Sequence, residues 1–450
     1  MASEQRGSLA EWTSMVRAGR ISRRTFIERA VALGLSSSAA LTVLAGCSST
    51  AASAITYWNL FGGGDGVRMI QMQNDFVRSH PDIDLNAVTL AWGEPYYTKL
   101  AMSASGGRPP DVGISHITRM PAFAELGFLE PFDLDMLTKV GITADKFLPE
   151  VWQRGLYQGK LYALPLDTHP FVMYYNIDIC RKAGLLGPDG NLKPIQGPTA
   201  LIDALKQVKQ VTGKWGLANI GPWRLFSGLY SQLGGKVLSP DAKELVLDNA
   251  KAEQALSFMA DLTLKSKVAF PSTDYGAAIA LFASGKVGFL WNGEWEVTTF
   301  QAVPNFHFNM VPFPNIFGGT QTEGDSHSFI LPRQTYLDPA RRAASFTFMS
   351  FILKDSFTWA QGGHIPAYLP VATGDAYKHL KPQSNYAGVA KDVVVDPAAW
   401  FSGSGSDFET LADGVFGAVI LGQLTPAKGI QQFRAGLQRM LDTPAPTSAK

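Results

Sequence analysis

Apolar and polar residues recur along the chain from residue 54 with spacings that predict alternating strands and helices. AITYW at 54–58 and IDLNAVTL at 83–90 have the length and composition of strands. Between them lie a glycine-rich loop at 59–66 and a helical stretch marked by Ile70, Phe76 and Val77. Strand, loop, helix and strand in this order predict a parallel α/β sheet. In such sheets, ligands bind beside loops at the carboxyl ends of strands.

The same alternation continues to the end of the chain. A short hairpin is expected at 155–164, a loop at 318–326 and mostly helical segments in the tail. Further strands are predicted at 112–115, 171–175, 215–219, 287–290, 305–312 and 329–331. Further helices are predicted at 96–104, 198–211, 222–233, 248–264 and 339–353.

One stretch stands out for its aromatic residues, LFASGKVGFLWNGEWE at 281–296. It runs from a helix end through a short apolar strand into a predicted turn that holds Trp291 and Trp295. Large flat rings beside hydrogen-bonding groups on a glycine-containing turn favour the wall of a ligand site over a purely structural core.

The first 50 residues have the pattern of an export signal. RISRRTF at 20–26 precedes an apolar run at 31–44, and a Ser/Ala-rich tether follows to about residue 53. LAGC at 44–47 resembles a lipobox, which implies a lipid on Cys47 and an extracytoplasmic protein anchored to the membrane. SRRTF resembles a twin-arginine signal, and a general secretory route stays open. The apolar run is too short for a stable membrane span.

Composition excludes several function classes. The 450 residues are 46% hydrophobic and carry a formal net charge of only +1, which argues against a nucleic-acid partner. With only Cys47 and Cys180, thiolate metal clusters are excluded, and the seven histidines are nowhere spaced at i, i+3 or i+4. The glycine run lacks a Walker lysine and does not fit Gly-x-Gly-x-x-Gly. No metal and no cofactor are therefore expected.

Motifs spread along the chain carry a family resemblance. They are ITYWNLFGGGDG at 55–66, PPDVGISH at 109–116, FLEPF at 128–132, YALPLDTHPFVMYYN at 162–176, ALFASGKVGFLWNGEW at 280–295 and GGHIPA at 362–367. In this order, the chain resembles the family-1 extracellular solute-binding proteins of ABC importers, the maltose-binding-protein-like group. The resemblance implies an α/β, two-lobed periplasmic-binding-protein fold with discontinuous lobes that close on a ligand in the cleft between them.

The resemblance also implies a division of the chain, with lobe crossings near 164–165, 297–304 and 353–355. The expected parts are a signal peptide (1–46), the lipidated cysteine and tether (47–53), lobe one (54–164 and 305–352), a crossing segment (298–304), lobe two (165–297 and 353–442) and a disordered tail (443–450).

A sugar offers apolar ring faces and hydroxyl edges, so its site needs aromatic planes and short polar groups. The resemblance implies that Trp295 is the stacking residue, with Trp291 packed beneath it, and that Trp223 is a second platform. Glu294 stands where the maltose-binding relatives commonly have proline. The polar candidates on loops that would face the cleft are Asp65, Ser115, His116, Asp167, His169, Arg224, Glu294 and His364.

The leading functional hypothesis is non-catalytic capture of a mono- or oligosaccharide by a monomer that passes it to ABC permease subunits. One alternative is a glycerophosphodiester or polyol-phosphate, which would require a cationic anchor such as Arg224 or Arg119. A more distant alternative is an exported glycoside-active enzyme that uses Asp167 and Glu294 as paired carboxylates.

Overall fold

The computed structural model describes residues 53–445, so the predicted export signal, Cys47 and the last five residues lie outside the described part. Residues 55–79 and 85–445 pack as one compact unit, which contains the cavity discussed below, and residues 53–54 and 80–84 fall in a second unit. No helix within residues 53–445 combines the length and apolar character needed to cross a bilayer.

Fifteen strands are formed in the described chain. They are β1 (Ser53–Asn59), β2 (Ile83–Thr89), β3 (Val112–His116), β4 (Leu129–Glu130), β5 (Leu156–Tyr157), β6 (Lys160–Leu161), β7 (Ala163–Pro165), β8 (Asp167–Asn176), β9 (Leu217–Asn219), β10 (Phe289–Gly293), β11 (Phe308–Pro312), β12 (Thr322–Asp325), β13 (His327–Pro332), β14 (Ile365–Pro366) and β15 (Val393–Val394).

Helices alternate with these strands. They are α1 (Gly63–Ser79), α2 (Glu94–Ser105), α3 (Met120–Glu125), α4 (Leu134–Lys139), α5 (Pro149–Arg154), α6 (Ile177–Lys182), α7 (Gly197–Thr212), α8 (Pro222–Gln232), α9 (Asn249–Leu264), α10 (Tyr275–Ala283), α11 (Val297–Gln301), α12 (Pro339–Lys354), α13 (Ser356–Ala360), α14 (Leu369–Ala372), α15 (Asp375–His379), α16 (Asp407–Ile420) and α17 (Pro426–Asp442). Short 3₁₀ helices span Ile117–Arg119, Ala144–Lys146, Glu294–Glu296 and Gln383–Lys391.

The fold is the expected α/β, two-lobed arrangement built on two mixed sheets. The first sheet has the order β2-β1-β3-β13-β4, with β7 paired to β13. The second has the order β15-β12-β8-β10-β9, with β11 and β14 paired to β8. β8 is buried along its whole length and pairs antiparallel with β10, β11, β12 and β14. A fully buried ten-residue strand is therefore the centre of the second lobe.

The chain passes between the two sheets at adjacent points. Leu166 separates β7 of the first sheet from β8 of the second, and Ser326 separates β12 of the second sheet from β13 of the first. A third passage leads from α13, which packs on α1, to β14, whose Ile365 and Pro366 pair with the start of β8. The connections thus meet around the first residues of β8.

The predicted assignment of all of 305–352 to lobe one is wrong for its first part. β11 and β12 form backbone hydrogen bonds with β8, so the return to the first sheet falls at Ser326 and not within 298–304. Phe300 of α11 also packs against Tyr174 and Phe282 in the core of the second lobe. These segments join the second lobe because each pairs with backbone groups of the second lobe or covers apolar area that would otherwise be exposed to solvent.

Local predictions differ from the structure in three further places. The glycine-rich loop at 59–66 becomes helical from Gly63, the start of α1. Trp291 lies within β10 rather than on a turn, and the turn starts at Glu294. Part of the loop predicted at 318–326 is β12. At β10 and β12, backbone pairing with neighbouring strands extends the regular structure past polar or glycine residues that locally indicate a loop.

Candidate ligand-binding site

A cavity of about 580 Å³ is bordered by elements of both lobes. Its size lies within the range typical of small-molecule sites. Its aromatic lining is Phe61, Trp92, Tyr275 and Trp295, and its polar lining is Asp65, His116, His169, Arg224, Thr273, His327, Glu409 and Asp413, with Leu60, Gly62, Ile220, Gly221 and Pro222 between them. Five of the ten predicted site residues are therefore brought together here: Asp65, His116, His169, Arg224 and Trp295.

Trp295 reaches the cavity because β10 ends in a 3₁₀ turn at Glu294–Glu296. The indole ring folds back over Gly293, where any Cβ would overlap it. The indole N–H of Trp295 donates to the hydroxyl of Tyr275 at 2.8 Å, and the ring meets His169 edge-on at 5.9 Å between centroids. Trp291, which lies four residues earlier in β10, is fully buried against Phe313. The motif therefore presents one tryptophan to the cavity and packs the other.

Phe61, Trp92 and Tyr275 complete the aromatic lining and were not among the predicted site residues. Trp92 is 50% exposed and its ring lies 6.0 Å from that of His116, edge-on. Phe61 packs 4.9 Å from His327. A sequence signal existed for two of them, since Phe61 and Trp92 both stand beside glycine in a loop that follows a strand.

Trp223 was predicted as a second stacking platform, and the structure buries it instead. The residue is 1% exposed, and its ring lies 4.6 Å from Phe408 and 5.9 Å from Phe433. Its indole N–H donates to Asp396 at 2.7 Å. As the second residue of α8, Trp223 faces α16 and α17, whereas its neighbour Arg224 lines the cavity.

Asp167 was predicted to contact ligand and is fully buried outside the cavity lining. Its Oδ1 accepts from the backbone N–H of His327 at 2.8 Å and lies 3.0 Å from Nδ1 of His169. Its Oδ2 accepts from the indole N–H of Trp359 at 2.7 Å and lies 2.8 Å from Nδ1 of His327. Burial by itself would raise the pKa of Asp167, but the neighbouring side chains of His327, His364 and His169 hold it well below the usual range. The side chain is an ionised carboxylate with all its hydrogen-bonding capacity in use.

His169 and His327 stand side by side in the cavity wall. Their rings stack with 4.2 Å between centroids and 29° between planes. Burial, followed by the charge of the neighbouring His327, lowers the pKa of His169 to about 3. His169 is therefore a neutral imidazole at physiological pH.

His364 was predicted as a ligand contact but is fully buried behind the wall. Its Nε2 lies 3.0 Å from Oδ1 of Asp65, and its Nδ1 lies 2.9 Å from Oε1 of Glu294 in a close ion contact without hydrogen-bond alignment. The ring stacks on Trp359 at 4.3 Å. Burial lowers the pKa of His364, but the carboxylates of Asp65 and Asp167 outweigh burial and raise it well above the usual value. His364 is therefore a buried imidazolium that balances the surrounding acids.

Glu294 and Ser115 also lie outside the cavity lining, contrary to prediction. Glu294 is fully buried, and burial raises its pKa to about 7. Gly363, at φ 119°, passes so close to the backbone of Glu294 that a Cβ would overlap its carbonyl oxygen. The hydroxyl of Ser115 donates to the carbonyl of His116 at 3.0 Å. Both side chains are enclosed by the protein and do not face the cavity.

His116 lines the cavity as predicted, and its Nδ1 lies 2.6 Å from the hydroxyl of Tyr97. The same hydroxyl accepts from the backbone N–H of His116 at 3.0 Å. Burial lowers the pKa of His116 well below its ordinary value, and the charges of His327 and His169 add to that effect. This ring is neutral as well.

Arg224 is the single arginine or lysine among the residues that line the cavity in the described chain. Its guanidinium lies 2.8 Å from Oε1 of Glu323 and 2.9 Å from Oε1 of Glu409, and it donates to the hydroxyl of Ser404 at 3.2 Å. Burial lowers the pKa of Arg224, but the carboxylates of Glu323 and Glu409 raise it well above the usual value. The guanidinium charge is thus already matched inside the protein.

Carboxyl groups outnumber cations around Arg224. Burial raises the pKa of Asp396 to about 7 and of Asp413 to about 6, whereas the charge of Arg224 opposes the effect of burial on the pKa of Glu323. Asp413 accepts from the backbone N–H of Trp223 at 2.7 Å and lines the cavity. At this end of the cavity, the lining carboxyl groups are those of Glu409 and Asp413.

The fold brings together histidines that are far apart in sequence. Atoms that could bind a metal lie within 4.8 Å of one another on Asp167, His169, His327 and His364. The sequence showed no sign of this cluster, because its histidines are not spaced at i, i+3 or i+4. A cation at this point would have to displace the hydrogen bonds that both oxygens of Asp167 accept. The hydrogen-bond network accounts for the geometry of this cluster.

Comparison with known proteins assigns the family. The profile of bacterial extracellular solute-binding proteins matches residues 64–355, more than half of the chain. The chain belongs to the bacterial extracellular solute-binding protein family. The solute-binding protein is 26% identical over 243 residues to the arabinooligosaccharide-binding protein of Bacillus subtilis (52% of this chain, 54% of the relative). It is 24% identical over 426 residues to the lactose-binding protein of Rhizobium radiobacter (89% and 97%).

Solved structures share the fold of this solute-binding protein at lower identity. The GacH receptor of Streptomyces glaucescens, solved unliganded and with acarbose, superposes with a TM-score of 0.75 at 19% identity, over 87% of this chain and 98% of that one. Maltose-bound MalE3 of T. maritima has a TM-score of 0.72 at 20% identity, over 86% and 100%. The chain spans about a third to a half of the length of the first curated relatives it matches.

The low pKa of His169 generates a prediction about stability. The unfolded chain takes up a proton on His169 near its ordinary pKa of about 6.5, whereas the folded protein does so only near 3, so stability falls as pH falls through this window. Between pH 7 and pH 5, wild type should lose about 2 kcal/mol more unfolding free energy than His169→Gln. Urea unfolding at each pH measures this loss. The exposed His379→Gln variant should keep the wild-type slope, and equal losses in wild type and His169→Gln would contradict the assignment.

Proposed function

We propose that this solute-binding protein captures a neutral mono- or oligosaccharide between its lobes and delivers it to an ABC importer. The observation that carries the proposal is the lining of the cavity, where four aromatic side chains face a polar side rich in acceptors. Apolar ring faces of a sugar pack on aromatic planes, and its hydroxyls donate to carboxylates and imidazole nitrogens. The relatives named for arabinooligosaccharide and lactose binding support the same ligand class.

The charge of the cavity argues against the phosphodiester alternative. A phosphate needs donors and positive charge, and Arg224 has both of its neighbouring carboxylates, Glu323 and Glu409, within 3 Å. Arg119, the other arginine considered, lies over the ring of Tyr97 at 4.6 Å and does not line the cavity. A phosphate would therefore meet Asp65, Glu409 and Asp413 without a free cation among the described lining residues.

The geometry also disfavours a glycoside-active enzyme. Asp167 and Glu294, the two carboxylates considered for such chemistry, are both fully buried and neither lines the cavity. Asp167 already accepts hydrogen bonds on both oxygens, so it has no lone pair left to attack or deprotonate a ligand. Binding without turnover is the function that these positions favour.

A ligand screen tests the proposal directly. Lactose, maltotriose and arabinobiose, added at about 100 times their dissociation constant, should each stabilise the protein by roughly 2.7 kcal/mol if they bind the folded state alone. Glycerophosphocholine at matched concentrations should leave the melting temperature unchanged. If it shifts the melting temperature and no saccharide does, the saccharide assignment fails.

Trp295 should contribute to binding through its exposed ring face. Trp295→Ala should weaken binding of the saccharide selected by the screen at least tenfold, about 1.4 kcal/mol, with the fold retained because the ring is at the cavity wall. Isothermal titration measures the affinity and circular dichroism the fold. Tyr336→Ala, at an 80% exposed aromatic away from the cavity, is the matched control and should bind as wild type does. Unchanged affinity in Trp295→Ala would remove this residue from the site.

We also propose that a lipid on Cys47 anchors a monomeric protein to the extracytoplasmic side of the cell membrane after export, by a twin-arginine or a general secretory route. The motif LAGC at 44–47 supports the anchor. Cys47→Ser should move the protein from the membrane fraction to the soluble fraction and abolish labelling by a clickable fatty acid. Cys180→Ser, at the buried second cysteine, should leave both unchanged. Membrane retention of Cys47→Ser would contradict the anchor.

A further inference from the structure

Asp167 has a second role that follows from which of its partners must be donors. The backbone N–H of His327 and the indole N–H of Trp359 can only donate, and each occupies one carboxylate oxygen. Nδ1 of His169 and Nδ1 of His327 lie at hydrogen-bond distance from the same two oxygens. An ionised carboxylate only accepts, so both Nδ1 atoms carry the hydrogen.

In a neutral imidazole with its hydrogen on Nδ1, Nε2 has the lone pair. Both side chains line the cavity although His169 is only 2% and His327 only 5% exposed. Neither Nε2 has a hydrogen-bond partner among the described residues, yet neither is a fully buried atom without a partner. Because Nδ1 of each ring is directed at Asp167 and the rings are stacked, both Nε2 atoms open toward the cavity on the same side.

His116 has the opposite arrangement. The hydroxyl of Tyr97 accepts from the backbone N–H of His116 and lies 2.6 Å from Nδ1 of the same residue, to which it can donate its own hydrogen. A neutral ring that accepts at Nδ1 carries its hydrogen on Nε2. The three rings lie 4.2 to 5.5 Å apart between centroids and form one wall of the cavity.

We infer that Asp167 is a positioning residue that fixes His169 and His327 as Nδ1–H tautomers. The cavity wall then presents two adjacent acceptors beside one donor, His116. This pattern selects a ligand with hydroxyl donors on neighbouring carbons. The ligand part of this inference rests on the proposed saccharide function, and the tautomer part does not. Two neighbouring hydroxyls can each donate a hydrogen bond to one Nε2. Phosphate and carboxylate oxygens carry no hydrogen to donate, so their lone pairs would face the lone pairs of Nε2 without a hydrogen bond. A ligand lacking one of these hydroxyls leaves a buried acceptor unpaired.

The tautomers are measured on the full exported chain without any ligand. Long-range ¹H–¹⁵N correlation of ¹⁵N-histidine-labelled protein at pH 7 should show unprotonated Nε2 and protonated Nδ1 for His169 and His327, and the reverse for His116. Protonated Nε2 on His169 or His327 would overturn the inference. This result does not depend on whether a saccharide binds, so the two proposals fail separately.

Two variants separate positioning from simple structural support. In Asp167→Asn, the amide group can donate, so at least one of the two rings should change to the Nε2–H tautomer. Affinity for the saccharide selected by the screen should then fall at least tenfold. Tyr97→Phe should free the His116 tautomer alone and leave His169 and His327 unchanged. If Asp167→Asn does not fold, the wild-type spectrum still decides. Folded Asp167→Asn with wild-type tautomers and wild-type affinity would contradict the role of Asp167.

Discussion

The buried carboxylate of Asp167 is the interaction on which the arrangement of the two lobes depends. It is the first residue of the central strand of the second sheet, and it accepts from His327, the first residue of the strand that returns to the first sheet. It also accepts from Trp359 on the third connection. A buried charge without partners is strongly unfavourable, so these three segments are held at one point.

The cavity gains its chemical character from groups behind its surface. His364 lies beside Asp65 and supplies positive charge that helps to keep the fully buried Asp167 ionised. Arg224 is held by Glu323 and Glu409, so it contributes structure at the wall without contributing a free positive charge. The result is a wall of acceptors and neutral imidazoles beside aromatic rings. Such a wall favours neutral ligands that are rich in hydroxyl groups.

Much of the fold could be predicted because strand and helix periodicities are strong in this chain. The site could be predicted only in part. Trp295 stands in a local motif whose glycine allows the ring to fold over the turn, and this signal is readable in sequence. The burial of Trp223 and Asp167 depends on partners such as Phe408 and His327, which are 185 and 160 residues away. The histidine cluster is likewise a product of the crossings, since no sequence spacing brings its members together.

One measurement tests the account most directly: a crystal structure of the protein with the saccharide that stabilises it most. The account predicts a sugar ring face stacked on Trp295, with two neighbouring hydroxyls within about 3.2 Å of Nε2 of His169 and His327. A saccharide bound with its ring away from Trp295, or with no hydroxyl at either histidine, would contradict it.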